Sequence, residues 1–225
     1  IEQIDTQIFL FFNGFHNVYW DYFMMIFSDR FVWVPFYASF IFVLLKNFPV
    51  KVVMSTIVVI TLIILFSDQT ASGILKPLVA RMRPSNPDNP ISPMVHVVQG
   101  YRGGRYGFPS SHAANAWSMA FFAQYLVRRS KLTIFLCLWA LITSYSRMYL
   151  GVHYFGDILI GTLIGFLYAT LYYYIFQYFL RKHTERFKPN HDIRFASVPI
   201  ITGLVSIWVI ICTSGILSFY SIPLR

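Results

Sequence analysis

The segment SRMYLGVHYFGD, residues 146–157, sets Arg147, His153 and Asp157 at the junction of two apolar runs. His153 and Asp157 are four residues apart, so a helix starting near His153, just after Gly151, would put both side chains on one face. A carboxylate bonded to one imidazole nitrogen fixes the tautomer and leaves the other nitrogen as a nucleophile or base. Two further clusters carry groups that belong with such a pair. KPLVARMRP, residues 76–84, holds Lys76 and Arg83, and FPSSHAANAW, residues 108–117, holds Ser110, Ser111 and His112. Lys76, Arg83 and Arg147 are fixed positive charges, and a planar guanidinium offers paired donors suited to phosphate oxygens. Ser110, Ser111 and the backbone N–H groups after them would open a helix, which is a ready anion site. His112 has no carboxylate nearby in sequence and is the better candidate for a general acid. A His and an Asp can also ligate a metal. Three surrounding cations favour an oxyanion over a divalent ion, so no metal or cofactor is expected.

These clusters matter only if some scaffold brings them together. The chain has 225 residues, of which 56% are hydrophobic and 12% charged, against about 25% charged in soluble domains. Its apolar residues come in long runs, which predicts an all-α, polytopic membrane protein forming one domain over residues 1–225. Residues 31–47, 52–75, 112–128, 132–149, 155–180 and 198–219 are each long enough to span the hydrocarbon, giving six transmembrane helices. Residues 1–30 are apolar but interrupted by Asn13, His16, Asn17 and Asp21. A charge such as Asp21 at a span centre costs about 2.5–3.5 kcal/mol, so this segment is expected to be an interfacial helix.

The net charge of +9 is spread over short clusters between apolar runs, not gathered in one patch, which argues against nucleic-acid binding. Lys46 and Lys51, then Arg128, Arg129 and Lys131, then Arg181, Lys182, Arg186, Lys188 and Arg194 fall in loops on one side of the bundle. The positive-inside rule makes that side cytoplasmic. All three polar clusters lie at the opposite, extracytoplasmic level, so topology alone makes them converge. The long connection of residues 84–108, rich in Pro, Asn and Gly, lies there too, and connections of that length are commonly functional. Cys137 and Cys212 sit inside apolar runs and imply no disulfide framework. No cleavable signal peptide is expected, and a start at Ile1 suggests that an initiator or short leader has been trimmed.

The spacing K-x6-RP, then PS-x-H, then SR-x5-H-x3-D resembles the signature of the type-2 phosphatidic acid phosphatase superfamily, which includes membrane lipid phosphate phosphatases and soluble vanadium haloperoxidases. The blocks occur in order, and the six-span layout is similar to the integral-membrane branch. The resemblance implies that His153 attacks phosphorus and forms a phosphohistidine, with Asp157 orienting it. It implies that His112 protonates the leaving oxygen and then activates water. Lys76, Arg83 and Arg147 would bind the phosphoryl oxygens, with Ser110 and the N–H of residue 111. One position departs from the pattern: Ser111 stands where the second block usually has glycine. A backbone donor survives that change, whereas a glycine-only conformation would not.

Several residues fall outside these motifs. Arg81 reads as a headgroup-facing or snorkelling side chain. Arg102 and Arg105, flanked by Tyr101 and Tyr106, are either headgroup contacts or part of a solvated loop. His16, His96, His183 and His191 have no motif partner and read as incidental. Gly161 and Gly165 have the small-xxx-small spacing of close helix approach, taken as intramolecular packing, and Tyr172, Tyr173 and Tyr174 as an interface belt. The expected protein is a bacterial inner-membrane phosphatase acting on the periplasmic side. Its partner is a lipid phosphate or pyrophosphate in the bilayer: undecaprenyl pyrophosphate, phosphatidylglycerophosphate, phosphatidate or a lipid A phosphate. A soluble haloperoxidase and a non-enzymatic anion transporter are the competing classes. Span-end placement of the cations speaks against a midplane transport site. The oligomeric state is not legible.

Overall fold

The computed structural model describes residues 2–183 and 193–222, the side chains of 181–183 excepted. Arg186, Lys188 and His191, together with the side chains of Arg181, Lys182 and His183, therefore lie outside the described residues. Among the described residues the protein is all-helical, with one isolated antiparallel bridge between Met82 and Tyr106. The helices are α1 (Glu2–Asn13), α2 (Val18–Phe27), α3 (Val34–Asn47), α4 (Val50–Asp68), α5 (Lys76–Val79), α6 (Ser111–Leu126), α7 (Ser130–Tyr149), α8 (Phe155–His183) and α9 (Val198–Tyr220).

Four of the described helical stretches are long and apolar enough to cross a membrane: Val50–Val79, Ser130–Tyr149, Phe155–Leu180 and Val198–Tyr220. A fifth candidate is the pair formed by α2 and Arg30–Asn47, bent by 62° at the intervening break. The expected single interfacial helix over residues 1–30 is instead two helices, α1 and α2, and α2 packs on α9 and α7. The stretch Val50–Val79 runs through a π-helical segment, Gln69–Leu75, that delivers Lys76 at its end. A π turn adds a residue to the local register and is common at functional sites.

Helix α6 is the axis of the site. It is only 16 residues long and uses small residues, with Ala113, Ala114, Ala116, Ser118, Ala120 and Ala123 all buried. Helix α8 answers with glycines. A Cβ at Gly161 would lie 2.4 Å from the Ser110 carbonyl oxygen, and one at Gly165 would lie 2.5 Å from that of Ala114. In lipid, helix association rests on such close van der Waals packing, since tails are as apolar as the side chains they replace. The Gly161/Gly165 stripe is thus an intramolecular contact between α8 and α6. Midway along α7, Trp33 packs edge to face on Phe27, Phe36 and Trp139, and Phe36 lies tilted against Trp139, which fastens α2 and α3 to α7.

Candidate active site

Each block of the sequence signature reaches the site from a different element. Lys76 stands at the N-terminus of α5, and Arg83 follows in the extended segment after it. Ser110 caps α6, Ser111 and His112 occupy its first turn, Arg147 is in the last turn of α7, and Asp157 is in the first turn of α8. His153 lies in the tight α7–α8 connection, where Gly151 has φ +75° and Ser85 N–H donates to its carbonyl at 3.0 Å. A Cβ at Gly151 would come 2.8 Å from Val95 and 3.0 Å from the His96 carbonyl, so both the turn and the packing demand glycine.

His153 is 1% exposed and Asp157 fully buried. One imidazole nitrogen, Nε2, faces the Arg83 guanidinium at 3.2 Å. Arginine can only donate, so Nε2 must offer its lone pair. The proton then sits on Nδ1, which points to Asp157 Oδ2 at 3.4 Å. Burial first, and then the charges of Arg83, Arg147 and Lys76, hold His153 well below the usual histidine value, and the ring is neutral. The carboxylate is fixed in turn by Tyr154 N–H at 3.0 Å on Oδ2 and by Arg81 Nη1 at 3.0 Å on Oδ1. Ser110 N–H donates to the Asp157 carbonyl at 2.9 Å, which ties the start of α6 to the start of α8.

Around this pair the positive charge is left unbalanced. Arg147 is 2% exposed and donates to Tyr101 Oη at 3.1 Å, and Arg83 donates to the Val152 carbonyl at 3.1 Å. Neither forms an ion pair with a carboxylate among the described residues, and the Nε of each is buried without a hydrogen-bond partner. Lys76 Nζ donates to Ser111 Oγ at 3.4 Å and to Ser72 Oγ at 3.1 Å, and Ser72 in turn contacts Asp68. Buried, unmatched cationic donors are costly unless an anion joins them. His112 lies among Arg147, His153, Lys76 and Arg83, is exposed at the site's mouth, and makes no side-chain hydrogen bond among the described residues. Its ring is available to a reacting group. No group of three or more His, Cys, Asp or Glu side chains placed to hold a metal ion occurs among the described residues.

Residues 51–181, more than half of the chain, match the PAP2 superfamily. The chain belongs to that superfamily. Membership together with the lipid A 4'-phosphatase relatives gives the reaction class, hydrolysis of a phosphoric ester. This PAP2 protein is 45% identical over 214 residues to a lipid A 4'-phosphatase of Bacteroides thetaiotaomicron, covering 92% of this chain and 93% of the relative. A lipid A 4'-phosphatase of Porphyromonas gingivalis is 34% identical, covering 79% of this chain and 75% of that one. In fold it is similar to the crystal structure of Aquifex aeolicus LpxE, with a TM-score of 0.57 and 22% identity over 75% of this chain and 94% of that one.

The PAP2 protein's departure from its family pattern is absorbed locally. Ser111 lies inside α6 and is not among the positive-φ residues, so no glycine-only conformation is required there. Other groups at the site are ones that sequence reading misplaced or missed. Arg81 does not snorkel: it bridges Asp157 to Asp5, with Nη2 2.8 Å from Asp5 Oδ2, and lies over the Tyr154 ring at 3.8 Å. Nothing in sequence couples Asp5 to a site around 150 residues away. Gly107 passes where a Cβ would meet Asp157 Oδ2 at 3.0 Å, and a lone loop glycine carries no signal of that kind.

Two of the histidines outside the motifs, His16 and His96, are also engaged. His96 contacts Asp21 Oδ1 at 2.9 Å and stacks on His16 with centroids 3.7 Å apart, so these two are not incidental. Residues 84–108 are tied down against the bundle. Asn13 bonds both N–H and carbonyl of His96, and Arg102 donates to the Ser85 carbonyl and to Ser92 Oγ. Arg105 stays exposed beside the Tyr106 ring.

Proposed function

We propose that the protein is an integral membrane phosphatase that removes the 4'-phosphate of lipid A through a phosphohistidine intermediate. The observation that carries the reading is a neutral, buried His153 whose lone-pair nitrogen lies among Arg83, Arg147 and Lys76, none of which forms an ion pair with a carboxylate among the described residues. In this reading Nε2 of His153 attacks phosphorus while the P–O ester bond breaks. The surrounding cations disfavour a charged His112 until the anionic phosphate of the substrate offsets them; so protonated in the complex, it gives its proton to the departing sugar oxygen. The same residue, now neutral, takes a proton from water as that water attacks phosphorus. The P–N bond breaks, His153 returns to its starting tautomer, and inorganic phosphate leaves.

Asp157 stabilises the charge that His153 acquires during attack. Lys76, Arg83, Arg147, Ser110 and the N–H of Ser111 hold the phosphoryl oxygens, and their preorganised donors favour the transition state over the ground state. Two relatives that bear the name lipid A 4'-phosphatase support the choice of lipid, since one covers nearly the whole chain. Six spans serve this reading: the bent pair α2–α3, the Val50–Val79 stretch, α6, α7, α8 and α9, all in one domain. The basic turn at Arg128, Arg129 and Lys131 supports a cytoplasmic placement for the far end. The active site then faces the periplasmic leaflet of the inner membrane, with Arg105 free to meet the headgroup.

The test is phosphate release from purified lipid A, phosphatidate, phosphatidylglycerophosphate and undecaprenyl pyrophosphate in detergent, with and without EDTA. The expected result is metal-independent release from the 4' position of lipid A, inhibited by vanadate. His153→Ala should abolish turnover, and His112→Ala should lower it by about 10²–10⁴-fold. Near-normal turnover by both variants would sink the mechanism, and preference for another lipid would sink the substrate.

A further inference from the structure

Arg81 is the one guanidinium at this end of the bundle, among the described residues, that contacts two carboxylates. Its Nη1 is 3.0 Å from Asp157 Oδ1 and its Nη2 is 2.8 Å from Asp5 Oδ2. Asp5 belongs to α1, which precedes the residues matched by the family. It does more than balance charge: Asp5 Oδ1 accepts from Gly156 N–H at 2.8 Å, so it also occupies the N-terminus of α8, the helix that carries Asp157. The approach is close enough that a Cβ at Gly156 would stand 2.8 Å from Asp5 Oδ2. The flat face of Arg81 rests on Tyr154, which is held by Asn89 at 3.0 Å and by the edge of Phe9 from α1. The guanidinium is therefore fixed on three sides. Both of its terminal nitrogens are thereby taken up by carboxylates.

We propose that Arg81, anchored by Asp5 of the N-terminal helix, is a positioning residue that aims Asp157 at His153 and divides that carboxylate's negative charge. This inference rests on the role given to His153 above. Oδ1 of Asp157 answers to Arg81 and Oδ2 to His153 and Tyr154 N–H, so the two oxygens have separate duties. Without Arg81 the carboxylate can rotate, and its full charge falls on the imidazole. Without the charge of Asp5, Arg81 is drawn wholly to Asp157. The charged groups facing the His153–Asp157 pair are Lys76, Arg81, Arg83, His112, Arg147 and, through Arg81, Asp5.

The experiment compares Arg81→Met, Arg81→Lys and Asp5→Asn with the parent on one lipid substrate, so that the substrate's own ionisation cancels in each ratio. Arg81→Met should lose about 10–100-fold in kcat with KM within about threefold. Because Arg81 is one of the groups that keep the buried Asp157 carboxylate ionised, activity of this variant relative to the parent should fall by at least about a further threefold between pH 7.5 and pH 5. Asp5→Asn should lose about threefold to tenfold in kcat, and its ratio should hold or recover toward acid pH. Arg81→Lys should regain part of the lost kcat and the parent's pH dependence. A ratio for Arg81→Met that stays flat across that range overturns the proposal in favour of a purely structural contact. A raised KM at unchanged kcat overturns it in favour of a headgroup ligand. His153→Ala is run alongside. If that variant keeps turnover, the reading of the site fails, whatever Arg81 does.

Discussion

Replacing Gly161 with alanine tests whether the close approach of α8 to α6 sets the catalytic geometry. The added Cβ would fall 2.4 Å from the Ser110 carbonyl oxygen and 3.2 Å from Ala113 Cβ, whereas ordinary contact begins near 3.4 Å. The helices must therefore separate by about 1 Å at this level, because the opposing atom is backbone and cannot rotate away. That displacement pulls directly on the bond from Ser110 N–H to the Asp157 carbonyl, now 2.9 Å long. It also carries Ser110, Ser111 and His112 away from His153 and Asp157. A misplacement of about 1 Å costs on the order of 10²-fold in rate. Alanine's better helix propensity, worth about 1 kcal/mol, opposes the overpacking cost of about 1–3 kcal/mol without reaching the geometry. The assay is phosphate release by detergent-purified variants of matched monodispersity. Gly215→Ala serves as the control, since nothing lies within 4 Å of a Cβ there. A kcat for Gly161→Ala within about threefold of the parent would refute the reasoning, because the contact would then yield without moving the site.

Ser111→Gly should change kcat by less than about threefold, since Ser111 already has ordinary helical backbone and only its 3.4 Å contact with Lys76 is lost. The depressed value of His153 fixes a sign. Its nucleophile stays neutral well below the usual 6.5, so kcat/KM should show no His153-linked loss between pH 8 and about pH 6. The same shift means that the unfolded chain binds the proton more readily. Stability from this group is therefore present above about pH 6.5 and should decline, in melting temperature, as pH falls below that value. Asn13 is buried and bonds the His96 N–H and the carbonyls of His96, Met148 and Tyr149. Asn13→Ala strands these groups and should cost at least about 2 kcal/mol, read as a lower melting temperature in detergent.

The residues that the fold gathers into the candidate site were legible without coordinates because their grouping is written in local spacing. His153 and Asp157 are neighbours on one turn, and the order of the three blocks with the apolar runs between them implies one shared membrane face. The edges of the apolar runs anticipated the helices from Val50 onward to within a few residues, because hydrocarbon thickness sets their length. Legibility ended where partners are distant in sequence or hidden in composition. Helix α6 reads as a plain apolar run, yet it is lined with alanine and serine so that glycines of α8 can reach its backbone. Residues 1–30 read as one interfacial helix, because a polar interruption does not say whether the chain bends or stops. Arg81 read as a snorkelling side chain, because an arginine beside an apolar run does that unless two carboxylates are waiting for it.

By itself, then, the sequence determined the class of protein and the helical scaffold, and it named the side chains that the fold gathers around His153, all properties of short-range pattern and of the bilayer as solvent. Only the tertiary structure decided the tautomer of His153, the cations left without a carboxylate, the restraint of residues 84–108 and the coupling of Asp5 to Asp157. Each of those depends on a distance between residues that the chain keeps far apart, and only packing brings such pairs within hydrogen-bonding reach.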